Sequence, residues 1–488
     1  MSVWIVVSQT HAHVAGTLLP RGFFLGLGLL YLAALAVDRM AARCRVPGAA
    51  AILLLGLAIP TELVTQAQPL GPVQLETLHR VSLALLIFYA GLRTNLGRIR
   101  GMTRAGLRLG SLGVLLTLAI TGLALLALAP LLPAGLPPAA AVLAVCCLGA
   151  TDSGALEDLM LALRHSVSGR LSHLLQFEAA LSTLTTLLCF GFASAVLQGR
   201  GHGEHEGLHA AVFTSLPEQL GAVGVHLIAG VAAGLLVGLL APRLIDGLVR
   251  SDQQLLLATV ALAFVTYGVG QVLGGGGLVA VFVAGVCLSN GRYRIGRFEP
   301  QALGRVMHPF NSAAEITVLL LLGLLVQHAV LLAVLPLGLL MAIVLPLARL
   351  LAVTAVMPAS LCSWRDRLIV GGCGLRGAVP LALAVSMTEE LPHLRGITPQ
   401  LAEPLAAQLL ALIFVVVLSD LLLQSLLMRR LLPPCWSLTH GRQCEEMTNR
   451  ASIRERPRCD GRRLRCVAGR PCRRPTSPAR VDPVVDCL

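Results

Sequence analysis

The chain is divided by short polar loops into long apolar segments, and this repeated pattern restricts the fold more than any other feature. About thirteen segments approach the roughly 17 to 25 apolar residues with which a helix crosses a bilayer. Their centres lie near residues 29, 53, 86, 119, 151, 184, 231, 262, 282, 317, 343, 379 and 417. Hydrophobic residues make up 56% of the 488 residues and charged residues 13%. A soluble domain cannot solvate so much apolar surface, so the sequence predicts an all-α polytopic membrane protein.

The charges of the loops predict how the chain is oriented in the bilayer. All 38 basic residues are arginine, and most of them lie in loops that follow odd-numbered segments. Because loops rich in positive charge stay in the cytoplasm, we expect the amino terminus outside and the carboxy terminus inside a bacterial inner (plasma) membrane. The net charge of +13 therefore reflects topology, and with aromatic residues at 4% it does not indicate nucleic-acid binding.

The composition changes near the end of the chain. Residues 1–432 contain the apolar segments and form the predicted transmembrane domain. Residues 433–488 are rich in arginine, proline and cysteine, and are predicted to form a mostly disordered cytoplasmic tail. The 13 cysteines show no repeated metal-ligand spacing, so we expect neither a bound metal nor a cofactor.

Two apolar segments are interrupted by glycines in a matching way. The segment near residue 151 breaks at Gly149-Ala-Thr-Asp-Ser-Gly154, and the segment near residue 379 breaks at Gly371-Gly-Cys-Gly-Leu-Arg-Gly377. If segments 1 to 6 and 8 to 13 are inverted repeats joined by segment 7, each break falls in the fifth member of its half. Paired broken helices mark the ion site in several transporter folds. The sequence therefore predicts two crossed broken helices with a site where they meet.

Asp152 lies inside the first break, near the depth where a bilayer is driest. An ionisable side chain there is costly unless it faces a wet cavity or a partner, and such residues usually mark an ion or proton path. We therefore take Asp152 as the central candidate. The alternative is an acid that only caps or pins the helices.

Four further charged residues lie within the apolar segments. Glu178 and Arg349 occupy overlapping depths, and because each would be costly alone we expect them to form an ion pair, structural rather than ion-binding. Glu315 either lines a funnel or reaches the interface as a surface acid. Arg376 lies in the second break, where a guanidinium group could meet free carbonyls or attract counter-charge.

Glu157 and Asp158 follow Asp152 by one to two helical turns towards the cytoplasm. They either line an inner vestibule or are ordinary residues near a helix end. We favour the vestibule.

Several motifs of the chain have counterparts in one transporter family. The stretch from Gly371 to Ala384 is similar to a Gly-Gly-Leu-Arg-Gly-Ala signature, and Ala150-Thr-Asp-Ser153 resembles an Ala-Thr-Asp-Pro broken helix. Phe177-Glu178 opens the next helix in the same way, Ser312 to Gly323 resembles a helix that carries a glutamate, and Ala348-Arg349 resembles the arginine that pairs with Glu178. Up to Leu432, the chain thus resembles the monovalent cation/proton antiporters, on the branch of bacterial and animal sodium/proton exchangers.

This resemblance implies an elevator-type antiporter that works as a homodimer. In it a monovalent cation, sodium first with potassium or lithium as alternatives, competes with protons for carboxylates between the crossed helices. Thr151 and Asp152 would supply oxygens to the ion site, and Glu178 and Arg349 would be a supporting pair.

The chain departs from the family at one important position. Where the family has an Asn-Asp pair whose aspartate carries the ion and the proton, this chain has Ser182-Thr183. Hydroxyl groups can ligate a cation but cannot carry a proton at neutral pH. We therefore expect Asp152 to be the carrier, with Ser182 and Thr183 as ligands and Glu157 or Asp158 relaying protons.

Two other functions compete with exchange. The same fold could act as an uncoupled cation pathway or as an ion or pH sensor, because the usual aspartate is replaced at position 183. An intramembrane protease would need a second aspartate in a Gly-x-Gly-Asp motif, or a Gly-x-Ser motif with a histidine deep in another segment, and neither arrangement is found. We therefore predict that the chain is not an enzyme.

Overall fold

The computed structural model describes residues 23–44, 46–59, 72–94, 103–132, 135–162, 167–198, 208–291, 293, 300–357, 363–394 and 396–431. Within these ranges every regular element is helical. The predicted tail, residues 433–488, lies outside them.

In the described residues, the first half of the chain forms nine α-helices and the second half seven. The nine are α1 (Phe23–Cys44), α2 (Gly48–Ala58), α3 (Pro72–Leu92), α4 (Thr103–Arg108), α5 (Val114–Ala127), α6 (Pro138–Cys147), α7 (Ser153–Ala162), α8 (Gly169–Gln198) and α9 (Leu208–Leu248). A π-helical turn, Leu109–Gly113, joins α4 to α5.

Seven helices follow in the second half. They are α10 (Asp252–Val272), α11 (Gly277–Ser289), α12 (Pro300–Leu325), α13 (His328–Val356), α14 (Trp364–Gly372), α15 (Ala378–Glu390) and α16 (Pro399–Leu431).

The apolar segments predicted from the sequence correspond to these helices. Each predicted centre falls within a helix, except the one near residue 151, which falls in the break between α6 and α7. In the part of the chain that the structure describes, eight helices are long and apolar enough to cross a membrane by themselves, and α2, α6 and α11 are shorter apolar helices. The all-α membrane fold is confirmed, whereas the count of thirteen spans remains a prediction.

The two broken segments meet each other, as predicted. α6 ends at Cys147 and α7 begins at Ser153, while α14 ends at Gly372 and α15 begins at Ala378. The two non-helical stretches cross where the N–H of Asp152 donates a hydrogen bond to the carbonyl of Leu375 at 2.8 Å. A Cβ atom on Gly377 would overlap the Asp152 carboxylate. Glycine is therefore required for this close approach.

The helices pack as two groups. α1, α2, α3, α9, α10, α11 and α12 contact mainly one another, and so do α5, α6, α8, α13, α14, α15 and α16. Fewer contacts join the groups, among them those of α12 and α3 with α15. Both broken segments belong to the second group, so the crossing is held within one packing unit.

Paired glycines let α2 and α12 approach closely inside the first group. A Cβ atom added to Gly323 would lie 2.6 Å from the Cα of Gly56 and 2.7 Å from the carbonyl oxygen of Leu53. Backbone atoms cannot move aside as a flexible side chain can. Small residues at helix contacts are a common way to pack helices in a membrane, where apolar burial gives little driving force between them.

We therefore expect Gly323→Ala to lower the thermal stability of the purified protein, at a cost of about 1 to 3 kcal/mol from overpacking. Gly304→Ala, on the same helix, is the matched control because a Cβ there meets no atom within 4 Å. Alanine favours a helix over glycine by about 1 kcal/mol, so this control should be neutral or stabilising. Equal melting temperatures for the two variants would contradict the packing argument.

Candidate functional site

Asp152 lies where the broken helices cross, and its carboxylate caps both of them. Oδ1 accepts hydrogen bonds from the N–H groups of Gly154 at 2.7 Å and Ala155 at 3.4 Å, in the first turn of α7. Oδ2 accepts one from the N–H of Ala378 at 3.1 Å, at the start of α15. The side chain is buried, and the positive ends of two helix dipoles stabilise its negative charge.

The other three predicted ion-site residues contact one another at the first break, next to Asp152 in the chain. The N–H of Thr151 donates to Ser182 Oγ at 3.1 Å, and the Thr183 hydroxyl lies 3.5 Å from the Thr151 carbonyl. The hydroxyls of Ser182 and Thr183 also donate to the carbonyl of Ala179, at 2.8 and 3.0 Å. Both hydroxyl protons therefore point to the backbone of α8. Each hydroxyl oxygen also has lone pairs, which are the part that would ligate a cation.

Glu178 and Arg349 are in direct contact, the arrangement expected from their depths. The guanidinium group donates from Nη1 to Oε1 at 3.2 Å and from Nη2 to Oε2 at 2.9 Å. The pair is therefore bidentate. Because both side chains are buried, it is also shielded from water. Arg349 Nη1 also donates to Thr151 Oγ1 at 3.3 Å. The ion pair therefore contacts the first break directly.

Arg376 brings a second guanidinium group to the same threonine. Its Nη1 donates to Thr151 Oγ1 at 3.1 Å and to the carbonyl of Gly374 at 3.2 Å. The backbone N–H of Arg376 donates to Oδ2 of Asp420 at 3.1 Å. Arg376 thus contacts a free carbonyl of the break and lies near an acid.

Sequence reasoning missed Asp420. This residue lies on α16 within a continuous apolar helix, is fully buried, and receives a hydrogen bond from the Gln424 side-chain amide. A charged residue in an apolar segment is itself a signal. It was overlooked because no glycine or break surrounds it.

Glu315 lines a cavity beside the crossing. The cavity has a volume of about 460 Å³ and also contains Asp38 and Ser312, with Leu375 and Leu421 in its wall. A Cβ atom on Gly154 would lie 3.3 Å from Asp152 Oδ1 and 3.4 Å from Glu315 Oε2, so the two carboxylates flank the same glycine. Glu315 therefore belongs to the cavity. The side chains of Glu157 and Asp158 lie outside the described part of the chain.

The crossing combines acids and arginines in unequal number. Glu178 is paired with the guanidinium group of Arg349, and Asp420 accepts the backbone N–H of Arg376. Among the described residues, the Asp152 carboxylate accepts hydrogen bonds from backbone N–H groups alone. No arginine side chain of that part of the chain donates to Asp152, and the carboxylate of Glu315 lies on the other side of Gly154.

A comparison with protein families identifies the chain. The model of the family described as "Sodium/hydrogen exchanger, transmembrane" matches residues 28–433, which include both breaks and Asp420. The chain belongs to this family. This membership agrees with the resemblance seen in the motifs. Because the family is one of transmembrane exchangers, the chain is an integral membrane protein.

Curated relatives and solved structures extend this result. The chain is 28% identical over 412 residues to a protein of Shewanella baltica named K(+)/H(+) antiporter NhaP2, covering 83% of this chain and 65% of that protein. It is 24% identical over 377 residues to Na(+)/H(+) antiporter NhaS2 of Synechocystis, covering 75% of this chain and 64% of the relative. The chain therefore spans about two thirds of the length of these curated relatives.

The fold itself has a solved counterpart. The structure of the sodium proton antiporter MjNhaP1 from Methanocaldococcus jannaschii at pH 8 matches with a TM-score of 0.69 at 18% sequence identity, covering 86% of this chain and 98% of that one. This likeness establishes the fold.

The buried pair predicts an effect on stability. Glu178→Gln leaves Arg349 buried without its counter-charge, and breaking one partner of such a pair costs about 3 to 5 kcal/mol. We expect a large fall in the thermal stability of the purified protein. Glu76→Gln is the control because Glu76 and Arg80 form an exposed pair, and exposed pairs contribute about 0 to 1 kcal/mol. Similar losses in the two variants would show that burial does not govern the pair.

Proposed function

We propose that the chain exchanges a monovalent cation for protons across the membrane, and that both bind to the carboxylate of Asp152. The hydrogen bonds at the crossing support this most directly, because, among the described residues, the Asp152 carboxylate accepts from backbone N–H groups and from no arginine side chain. A carboxylate has about four acceptor positions, and three backbone N–H groups occupy positions on Asp152. One position on Oδ2 remains for a cation or a proton.

Competition at this carboxylate couples the two ions. A cation is attracted to the carboxylate and takes further oxygens from the break, where the Thr151 carbonyl is outside any helix. The hydroxyl oxygens of Ser182 and Thr183 complete the set of ligands. Binding of a proton neutralises Asp152 and releases the cation, and binding of the cation releases the proton, so the gradient of one ion drives the other.

Sodium is the first cation we propose, with potassium and lithium as alternatives. The named relatives include a potassium and a sodium antiporter, and cavity size and ligand number decide between such cations. The site here has one carboxylate and neutral oxygens. Uptake assays with each cation in turn would identify the substrate.

We further propose an elevator mechanism in a homodimer, with protons and cations as partners and no nucleic acid. The division into two helix groups supports it, because the helices of the group that contains the crossing contact mainly one another, as a mobile unit would require. With the amino terminus outside the plasma membrane, the end of α1 that carries Asp38 lies at the cytoplasmic side. The cavity of Asp38 and Glu315 then opens towards the cytoplasm.

Replacing Asp152 tests the proposal. Asp152→Asn keeps the shape of the side chain but cannot carry a proton, so cation-dependent pH changes in everted vesicles should fall to the background of vesicles without the protein. Asp252→Asn is a matched control, since Asp252 is exposed at the start of α10. Exchange that continues in Asp152→Asn, at wild-type protein levels, would refute the assignment.

A second candidate is an uncoupled cation pathway or an ion or pH sensor in the same fold. The reason to consider it is that Ser182 and Thr183 occupy the positions of the family's Asn-Asp pair. Their hydroxyl groups donate hydrogen bonds within α8. Thr183→Asp distinguishes the two, with Thr183→Ser as control. If the native site exchanges ions, wild-type protein already gives cation-dependent pH changes. If only Thr183→Asp gives them, the native site is deficient and this second function is favoured.

A further inference from the structure

Asp420 holds one edge of the second break. Its Oδ2 accepts the backbone N–H of Arg376 at 3.1 Å, and the amide of Gln424, one turn later on α16, donates to Oδ1. The carboxylate is fully buried. An acid in such a place carries a large desolvation cost unless an opposite charge lies nearby.

Arg376 is the nearest candidate for that opposite charge. Its guanidinium hydrogen bonds reach neutral acceptors, the Thr151 hydroxyl and the Gly374 carbonyl. Asp420 and Glu178 are the acids that attract it, Arg349 repels it, and Glu178 is already paired with Arg349. Asp420 and Arg376 therefore balance each other without direct contact between their charged groups.

This balance matters for Asp152 because Arg376 lies next to it. The hydroxyl that Arg376 binds belongs to Thr151, the residue before Asp152, and Gly377, the residue after Arg376, packs against the Asp152 carboxylate. An uncompensated guanidinium group at this distance would lower the affinity of Asp152 for any cation and for a proton alike.

We propose that Asp420 is a positioning residue that offsets the charge of Arg376 and thereby preserves the ion affinity of Asp152. The proposal rests on the exchange function proposed above. Among the described residues, the other titratable and charged groups around the crossing are Glu178 on α8, Glu315 on α12, Arg349 on α13 and the Cys373 thiol beside Arg349. Glu178 and Arg349 balance each other, which leaves Asp420 as the group that compensates Arg376.

The test compares Asp420→Asn with the double variant Asp420→Asn/Arg376→Gln in everted vesicles. Asp420→Asn retains an oxygen for the Arg376 N–H but removes the negative charge. Weaker proton binding moves the pH optimum of exchange to lower pH, by about one unit, and weaker cation binding raises the apparent KM at alkaline pH about tenfold. Ser419→Ala, the preceding position on α16, is the control and should keep the wild-type pH optimum.

The double variant separates charge balance from a structural role. Removing both charges should return the pH optimum and the KM towards wild type, although the single change moved them. A role confined to folding would instead reduce the amount of protein and the maximal rate in both variants, with the pH optimum unchanged. That result, or a double variant whose pH optimum and KM stay as far from wild type as those of the single variant, overturns the proposal.

Stability gives a readout that does not depend on transport. Asp420→Asn should lower the melting temperature of the purified protein and the double variant should recover it, because removing one partner of a buried pair costs more than removing both. If the single variant does not accumulate, the double variant should, and failure of both overturns the proposal. If wild-type protein shows no exchange, the function proposed above fails, while the melting temperatures still decide whether Asp420 compensates Arg376.

Discussion

One carboxylate joins the two broken helices, and the rest of the structure depends on that contact. Breaking a helix inside a membrane leaves N–H and carbonyl groups without partners, which is costly away from water. Asp152 satisfies N–H groups at the start of both α7 and α15, and its own N–H bonds to the carbonyl of Leu375. The two breaks thus stabilise each other.

The same contact is compatible with both roles of Asp152, the capping of two helices and the proposed binding of ions. Capping uses three of the acceptor positions of Asp152, while the described arginine side chains donate to other groups. The Glu178 and Arg349 pair contacts Thr151 from one side and Arg376 contacts it from another. These contacts fix the side chains around Asp152, which is what the proposed ion site would need.

Much of the fold could be predicted from the sequence because its signals are local. Apolar length places the helices, and the glycine clusters at 149–154 and 371–377 mark the breaks. Glycine at 377 permits the backbone to approach Asp152 closely. Glu178 and Arg349 were paired by their depth alone. Asp420 was missed because its importance arises from a contact with Arg376, 44 positions away, which no local pattern records. The number of membrane spans could not be predicted either, because helices such as α2 are shorter than a usual membrane-spanning helix.

The cavity and the charged crossing are adjacent along the chain. Leu375 and Leu421 line the cavity, and the residues next to them in the chain, Arg376 and Asp420, are buried from solvent. A displacement of either leucine would therefore also displace the backbone that carries a buried charge. The shape of the cavity and the geometry of the crossing are thus linked by single peptide bonds.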